Sequence, residues 1–331
     1  MTAVPPASPF PFAPFDPELE RMLTATRGDG PAQPPVTLET LPESRAAFEA
    51  MSPSPAEVIG DRPVDFEERT IPGRPGAPEL AVTVLRPRER AQAAPGLYSM
   101  HGGGLVMGTR HMDTPRLVDL VLEFGFVVVN VEYRLAPENP GAGPAEDCYA
   151  GLVWMAGHAE ELGFDPDRLI VMGGSAGGCL SAAMALMTRD RKGPALAGQL
   201  LLVPMLDDRN ETLSSHQYGT AGVWDRHINV FSWRAVLGDR VGDPDVSPYI
   251  VPSRATDLSG LAPAYIELGS AELLRDEAVE YANRIWAAGG EAELHVWNGG
   301  FHGFEVFCPD SRLAAYALET RRSWIRRVIG Q

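Results

Sequence analysis

The chain has 331 residues, 44% of them hydrophobic and 22% charged, which is enough apolar material for a sizeable core and argues against wholesale disorder. Its formal net charge of -16 repels polyanions and anionic lipid, and no basic run offsets this, so no nucleic acid or membrane partner is expected. The absence of a long apolar run and of a signal-peptide pattern at the N-terminus points to a cytoplasmic location.

Residues 1–15 are rich in Pro and Phe and read as an ordered arm or a mobile tail. Asp16 can cap a helix, with Pro17 in its first turn. Residues 31–60 mix Pro, Ser and Thr with a helical patch at Ser44–Met51, and no strand is evident before Val64. The first sixty residues therefore read as an appendage to a core that starts later.

That core alternates. Apolar and β-branched runs predict strands at Glu79–Arg86, Ala94–His101, Phe126–Tyr133, Leu169–Met172, Leu200–Val203, Ala264–Leu268 and Ala292–Trp297. Helices are predicted at Met112–Phe124, Ala145–Leu162, Ala176–Thr188 and Asp276–Ala288. Strands alternating with helices mean βαβ units and a mostly parallel sheet. Residues 204–263 break the rhythm, being too many for a simple crossover. The aromatic helical stretch Trp224–Gly238 within them is either an extra packing helix or, with the N-terminal arm, a cover over a site.

Met172 to Leu180 reads MGGSAGGCL, and three kinds of segment look like this. A phosphate loop needs a lysine after its glycines, and the only lysine, Lys192, is remote. A dinucleotide loop fails because Ser175 stands where its second glycine should be. The run HGGGLVMG does offer Gly102, Gly104 and Gly108, but a short-chain reductase also needs Tyr-x-x-x-Lys, and Thr188 stands four residues before Lys192. A flexible linker is polar on both sides, whereas Leu169–Met172 is apolar and an alanine-rich helical run follows. There remains a tight strand-to-helix turn, G-x-S-x-G, that holds Ser175 up as a nucleophile at a helix N-terminus.

A nucleophile of this kind needs an oxyanion site. His101-Gly102-Gly103-Gly104 ends an earlier strand, where glycines let backbone N–H groups approach a substrate. His101 is then structural. The base should follow the acid in chain order, which selects His302 in the Gly-flanked loop after the last strand. The acid should follow the strand at Ala264–Leu268. Glu272 lies in that loop and is favoured; Asp276, where a helix begins, is the alternative and reads as a cap or ion-pair partner. Cys148, Cys179 and Cys308 lack the spacing of a zinc site or a disulfide framework and read as buried thiols.

These motifs resemble the hormone-sensitive-lipase-like family of α/β-hydrolases, the bacterial family IV esterases, from about Glu79 to Phe304. Tyr133-Arg134-Leu135-Ala136-Pro137-Glu138 matches that family's YRLAPE, Ser175-Ala176-Gly177-Gly178 its SAGG, Leu274-Arg275-Asp276-Glu277 its LRDE and His302-Gly303-Phe304 its HGF. The resemblance implies an α/β-hydrolase fold with an eight-stranded sheet and a triad of Ser175, His302 and Glu272. It also implies an oxyanion hole of the Gly103, Gly104 and Ala176 N–H groups. A helical cap would come from residues 1–60 and an insertion at about 207–245, on a catalytic domain spanning 61–331. The implied activity is hydrolysis of short- to medium-chain carboxylic esters through an acyl-enzyme. No cofactor or metal is implied, the partner is a small-molecule ester, and the state is monomer or homodimer. The same triad serves amides, lactones and carbamates, and a non-catalytic binding protein is a further reading. The chain departs from the family in Gly174, where an Asp is usual, in Glu272 for the usual Asp, and in Asn139-Pro140-Gly141-Ala142 after YRLAPE.

Overall fold

Val127–Val131 is buried along its whole length, and such a run is satisfied only inside a sheet covered on both faces. The computed structural model describes residues 10–27, 35–89, 93–219 and 222–331, so the first nine residues of the arm lie outside the described residues. Eight strands form one sheet: β1 (Val64–Ile71), β2 (Leu80–Pro87), β3 (Ala94–Met100), β4 (Val127–Val131), β5 (Phe164–Gly174), β6 (Gly198–Leu202), β7 (Ala264–Gly269) and β8 (Ala292–Trp297). Their order is β1-β2-β4-β3-β5-β6-β7-β8. β2 runs antiparallel to both neighbours and all other pairs are parallel, as an α/β-hydrolase fold requires.

Helices cover both faces. On one, Leu117, Val118 and Val121 of helix Thr114–Phe124 share a buried cluster with Trp324, Ile325 and Ile329 of helix Arg312–Ile329. On the other, Cys148, Leu152 and Met155 of helix Gly143–Gly157 pack with Cys179, Leu180 and Met184 of helix Ala176–Arg191. That second helix is buried from Ala176 to Thr188, so it has no solvent face and its sequence shows no amphipathic stripe.

Two of the longer elements were not expected. In β1 only Val64 and Ile71 are buried, and the polar residues between them hide the strand's alternation. It is an edge strand paired to β2 alone, where charge is tolerated and discourages further pairing. Helix Arg312–Ile329 follows the last recognised motif and packs through Ala314, Ala317, Trp324, Ile325 and Ile329. β5 also starts earlier than Leu169, its polar residues Asp165–Arg168 accompanying a register shift opposite Pro95/Gly96.

The two irregular regions meet each other. Helices Pro17–Arg27 and Leu41–Ala50 come from the first, Leu213–Gln217 and Arg226–Leu237 from the second. The Phe12 ring lies 5.5 Å from that of Tyr218, whose hydroxyl donates to the Ala13 carbonyl at 2.9 Å. Trp224, Trp233 and Val236 join the buried cluster that contains Met100, Leu105 and Tyr133. Among the described residues no helix is long and apolar enough to cross a membrane.

Candidate active site

Ser175 stands between the end of β5 and the start of helix Ala176–Arg191 at φ 57° and ψ -116°, a conformation that costs a non-glycine residue about 1–3 kcal/mol. The surroundings hold it there. Its N–H donates to the Leu202 carbonyl at 2.8 Å, and its carbonyl accepts from Cys179 and Met205 at 3.0 and 3.1 Å. A Cβ on Gly177 would come within 2.0 Å of the Met100 carbonyl oxygen, so the turn closes only on glycine. The Ser175 hydroxyl is buried and makes no hydrogen bond within the described chain.

Gly174 differs from its neighbours. A Cβ there would meet nothing nearer than Arg116 Nη2 at 3.7 Å. Sterics do not demand a glycine, and a carboxylate at this position would reach Arg116. In this chain Arg116 pairs with Asp113 and lies 3.8 Å from Glu305.

The loop expected to hold the oxyanion follows β3. Gly102 faces the turn, since a Cβ added to it would lie 3.7 Å from Ser175 Cβ. Gly103 and Gly104 have φ 105° and 64°, and the Gly103 carbonyl accepts from Val106 and Met107 at 3.1 and 3.0 Å. The N–H groups of Gly103, Gly104 and Ala176 donate to no backbone carbonyl among the described residues. His101 is fully buried and stacked on Tyr133 at 4.2 Å, and Tyr133 donates to its carbonyl at 2.8 Å. Burial lowers its pKa, which favours the neutral ring, and it serves as a packing element.

His302 and Glu272 meet. The His302 Nδ1–H donates to Glu272 Oε2 at 2.7 Å, both side chains being buried, which leaves Nε2 as the ring's acceptor. Backbone bonds lace the two loops together: Ser270 N–H to Trp297 at 2.8 Å, and Ala271 N–H to Gly300 at 3.0 Å. Asp276 is occupied elsewhere. Its Oδ2 accepts from the Ser214 N–H at 2.8 Å, near the start of helix Leu213–Gln217, and its Oδ1 from Arg275 at 2.7 Å. Glu277 accepts from the backbone of Leu206 and Asp207, and burial raises its pKa.

The sequence did not reveal the supports. Arg321, buried in helix Arg312–Ile329, bonds Glu267 at the end of β7 and Glu305 just after the His302 loop, the latter at 3.1 Å. Burial alone would raise the Glu305 pKa, but Arg321 and Arg116 lower it. Arg45 of helix Leu41–Ala50 donates to the Val106 carbonyl at 2.7 Å, to Ala136 at 2.8 Å and in a fork to Glu138 at 2.8 Å. Each partner lies far away in sequence, so no local pattern points to it. Of the aromatic residues in the outer segments, Trp224 is buried with its ring 6.0 Å from that of His302, while Phe12 is exposed and Phe15 packs on Phe301.

Residues 97–306 match the model of a family described as having the alpha/beta hydrolase fold. The chain is 35% identical over 277 residues to "Carboxylesterase NlhH" of Mycobacterium tuberculosis, covering 83% of this chain and 86% of the relative. It is 34% identical to "Carboxylic ester hydrolase LipN" of the same organism, covering 88% of this chain and 77% of LipN. A solved "Bacterial Heroin Esterase" superposes with a TM-score of 0.87 at 40% identity, covering 95% of this chain and 98% of that one.

Proposed function

This chain belongs to the alpha/beta hydrolase family, in its hormone-sensitive-lipase-like branch, and from that premise we propose that it is a serine carboxylesterase acting through an acyl-enzyme. The observation that carries the reading is the bond from His302 to Glu272, the base and acid that a serine on a strained strand-to-helix turn needs. Ser175 is the nucleophile. His302 takes its proton through Nε2 as Oγ attacks the ester carbonyl, and Glu272 holds the ring in the tautomer that allows this and stabilises its charged form. The Gly103, Gly104 and Ala176 N–H groups receive the oxyanion; one such donor is worth about 2.7–4 kcal/mol in other hydrolases. His302 then protonates the departing alcohol, and water releases the acid by the same steps in reverse order. The two outer segments form the cap that excludes bulk water. The relatives' names support carboxylic esters, and short- to medium-chain acyl groups are the substrates to test first.

The decisive experiment is turnover of p-nitrophenyl esters by the wild-type protein and Ser175→Ala. The wild type is expected to hydrolyse the acetate and butyrate and to be labelled by a fluorophosphonate, and the variant to do neither. Ester turnover that survives in Ser175→Ala overturns the assignment.

A further inference from the structure

The oxyanion loop is roofed by the helix Arg226–Leu237 and the residues before it. A Cβ on Gly104 would lie 2.5 Å from Trp224 Cη2 and 2.5 Å from Ser232 Oγ. One indole and one hydroxyl therefore sit directly against the glycine whose N–H is assigned to the oxyanion.

The hydroxyl is unpaired. Ser232 is 0% exposed, and its Oγ has no hydrogen-bond partner within the described chain. A serine inside a helix ordinarily bonds back to a carbonyl one turn earlier. Ser181 does so in the helix that follows the nucleophile, donating to the Gly177 carbonyl at 2.9 Å. Ser232 has the same opportunity and does not use it. Burying an unpaired hydroxyl costs about 1–3 kcal/mol, which calls for an explanation when the group faces a binding site.

Trp224 walls the place. It is buried, with its ring 6.0 Å from that of His302, so it spans from the oxyanion glycine to the base. It is tied down as well. Its indole N–H donates to Asn229 Oδ1 at 2.9 Å, and Asn229 donates to Asn210 Oδ1 at 2.6 Å. A donor held beside the oxyanion position under such a wall acts where water does not screen it.

We propose that Ser232 is a substrate-binding residue of the esterase, its hydroxyl donating to the ester carbonyl oxygen as that oxygen becomes the oxyanion on Gly104. The inference rests on the esterase reading above. It makes a side chain of the irregular segment after β6 part of the charge-stabilising site, and the partner it awaits is the carbonyl oxygen of a carboxylic ester.

The test compares wild type and Ser232→Ala with p-nitrophenyl acetate and with an alkyl trifluoromethyl ketone, which adds to the serine and carries a tetrahedral oxyanion. A substrate-binding hydroxyl predicts a loss of about tenfold in kcat with KM within about twofold. The ketone should weaken by the same factor. The melting temperature should stay level or rise, because the variant removes an unpaired buried group. Three results overturn the proposal: kcat/KM within twofold of wild type, a loss of kcat without a matching loss of ketone affinity, or a loss that accompanies a fall in melting temperature. A wild-type protein that neither hydrolyses the ester nor takes the fluorophosphonate label would instead overturn the esterase reading itself.

Discussion

Glu272 and Asp276 stand four residues apart, and their surroundings give them different work. Glu272 is 2% exposed and holds His302, whereas Asp276 fastens the start of helix Leu213–Gln217 through the Ser214 N–H. Glu272→Ala is expected to lower kcat on p-nitrophenyl acetate by about 10⁴, the scale seen when a triad acid is neutralised. Asp276→Ala should keep kcat within a few-fold and lose about 1 kcal/mol of stability with the bond to Ser214. Denaturant melts and steady-state rates on both variants check this, and the reverse pattern would exchange the two roles. At this scale much was legible. The strand, glycine and helix signals around Ser175, His302 and Glu272 are local, and the structure brings His302 to Glu272. Ser232 was not legible, because a serine on an apolar helix face says nothing until the glycine it touches, far off in sequence, is known.

Elements succeed or fail here by how they are tied. Helix Leu41–Ala50 hydrogen-bonds the loop after β3 through Arg45, which bonds the Val106 and Ala136 carbonyls and forks onto Glu138. The Ala136 N–H in turn donates to the Leu105 carbonyl at 2.9 Å, so the YRLAPE segment and the loop after Gly104 are clamped together. Arg45→Ala should lower kcat by about tenfold with little change in KM, since a donor out of place is felt in the transition state. The Arg45 bond holds the Glu138 carboxyl below its usual value of 4.5, so its stabilisation is present above about pH 4.5 and fades as pH falls through the depressed value. Glu138 is exposed, which keeps the effect small. The melting-temperature gap between wild type and Glu138→Gln should therefore narrow below pH 4.5, and a gap that widens in acid contradicts it. Strands with buried β-branched runs were readable from their letters. β1 was not, because an edge strand with Asp65, Glu67, Glu68 and Arg69 in its middle carries no apolar alternation. Helix Arg312–Ile329 carries a usable signal in Ser311, which accepts from the Ala314 N–H at 3.2 Å, followed by Ala314, Ala317, Trp324 and Ile325 on one face.

The whole molecule acts through its charge and its wiring. A net charge of -16 sets up a field that draws cations towards any cleft and is screened by salt. A cationic ester such as a choline ester should lose kcat/KM as ionic strength rises from about 0.02 to 0.5 M, while its uncharged dimethylbutyl counterpart stays flat. Equal salt dependence for both would show that the field does not reach the site. The mostly parallel character of the sheet was legible at this scale because alternating strands and helices leave few arrangements. The joining of the two irregular segments stood open between a cover and an extra packing helix, since it runs through contacts such as Phe12 to Tyr218 that no spacing announces. One of the late supports also bears on time. Arg321 fastens β7 and the segment beyond His302 from a helix that the ribosome makes after both. A growing chain contains Ser175 and Glu272 well before that helix emerges, yet the segment beyond His302 would lack its anchor. Competence therefore waits for that helix, and a nascent chain stopped short of Arg321 should be silent towards esters although all eight strands have been made.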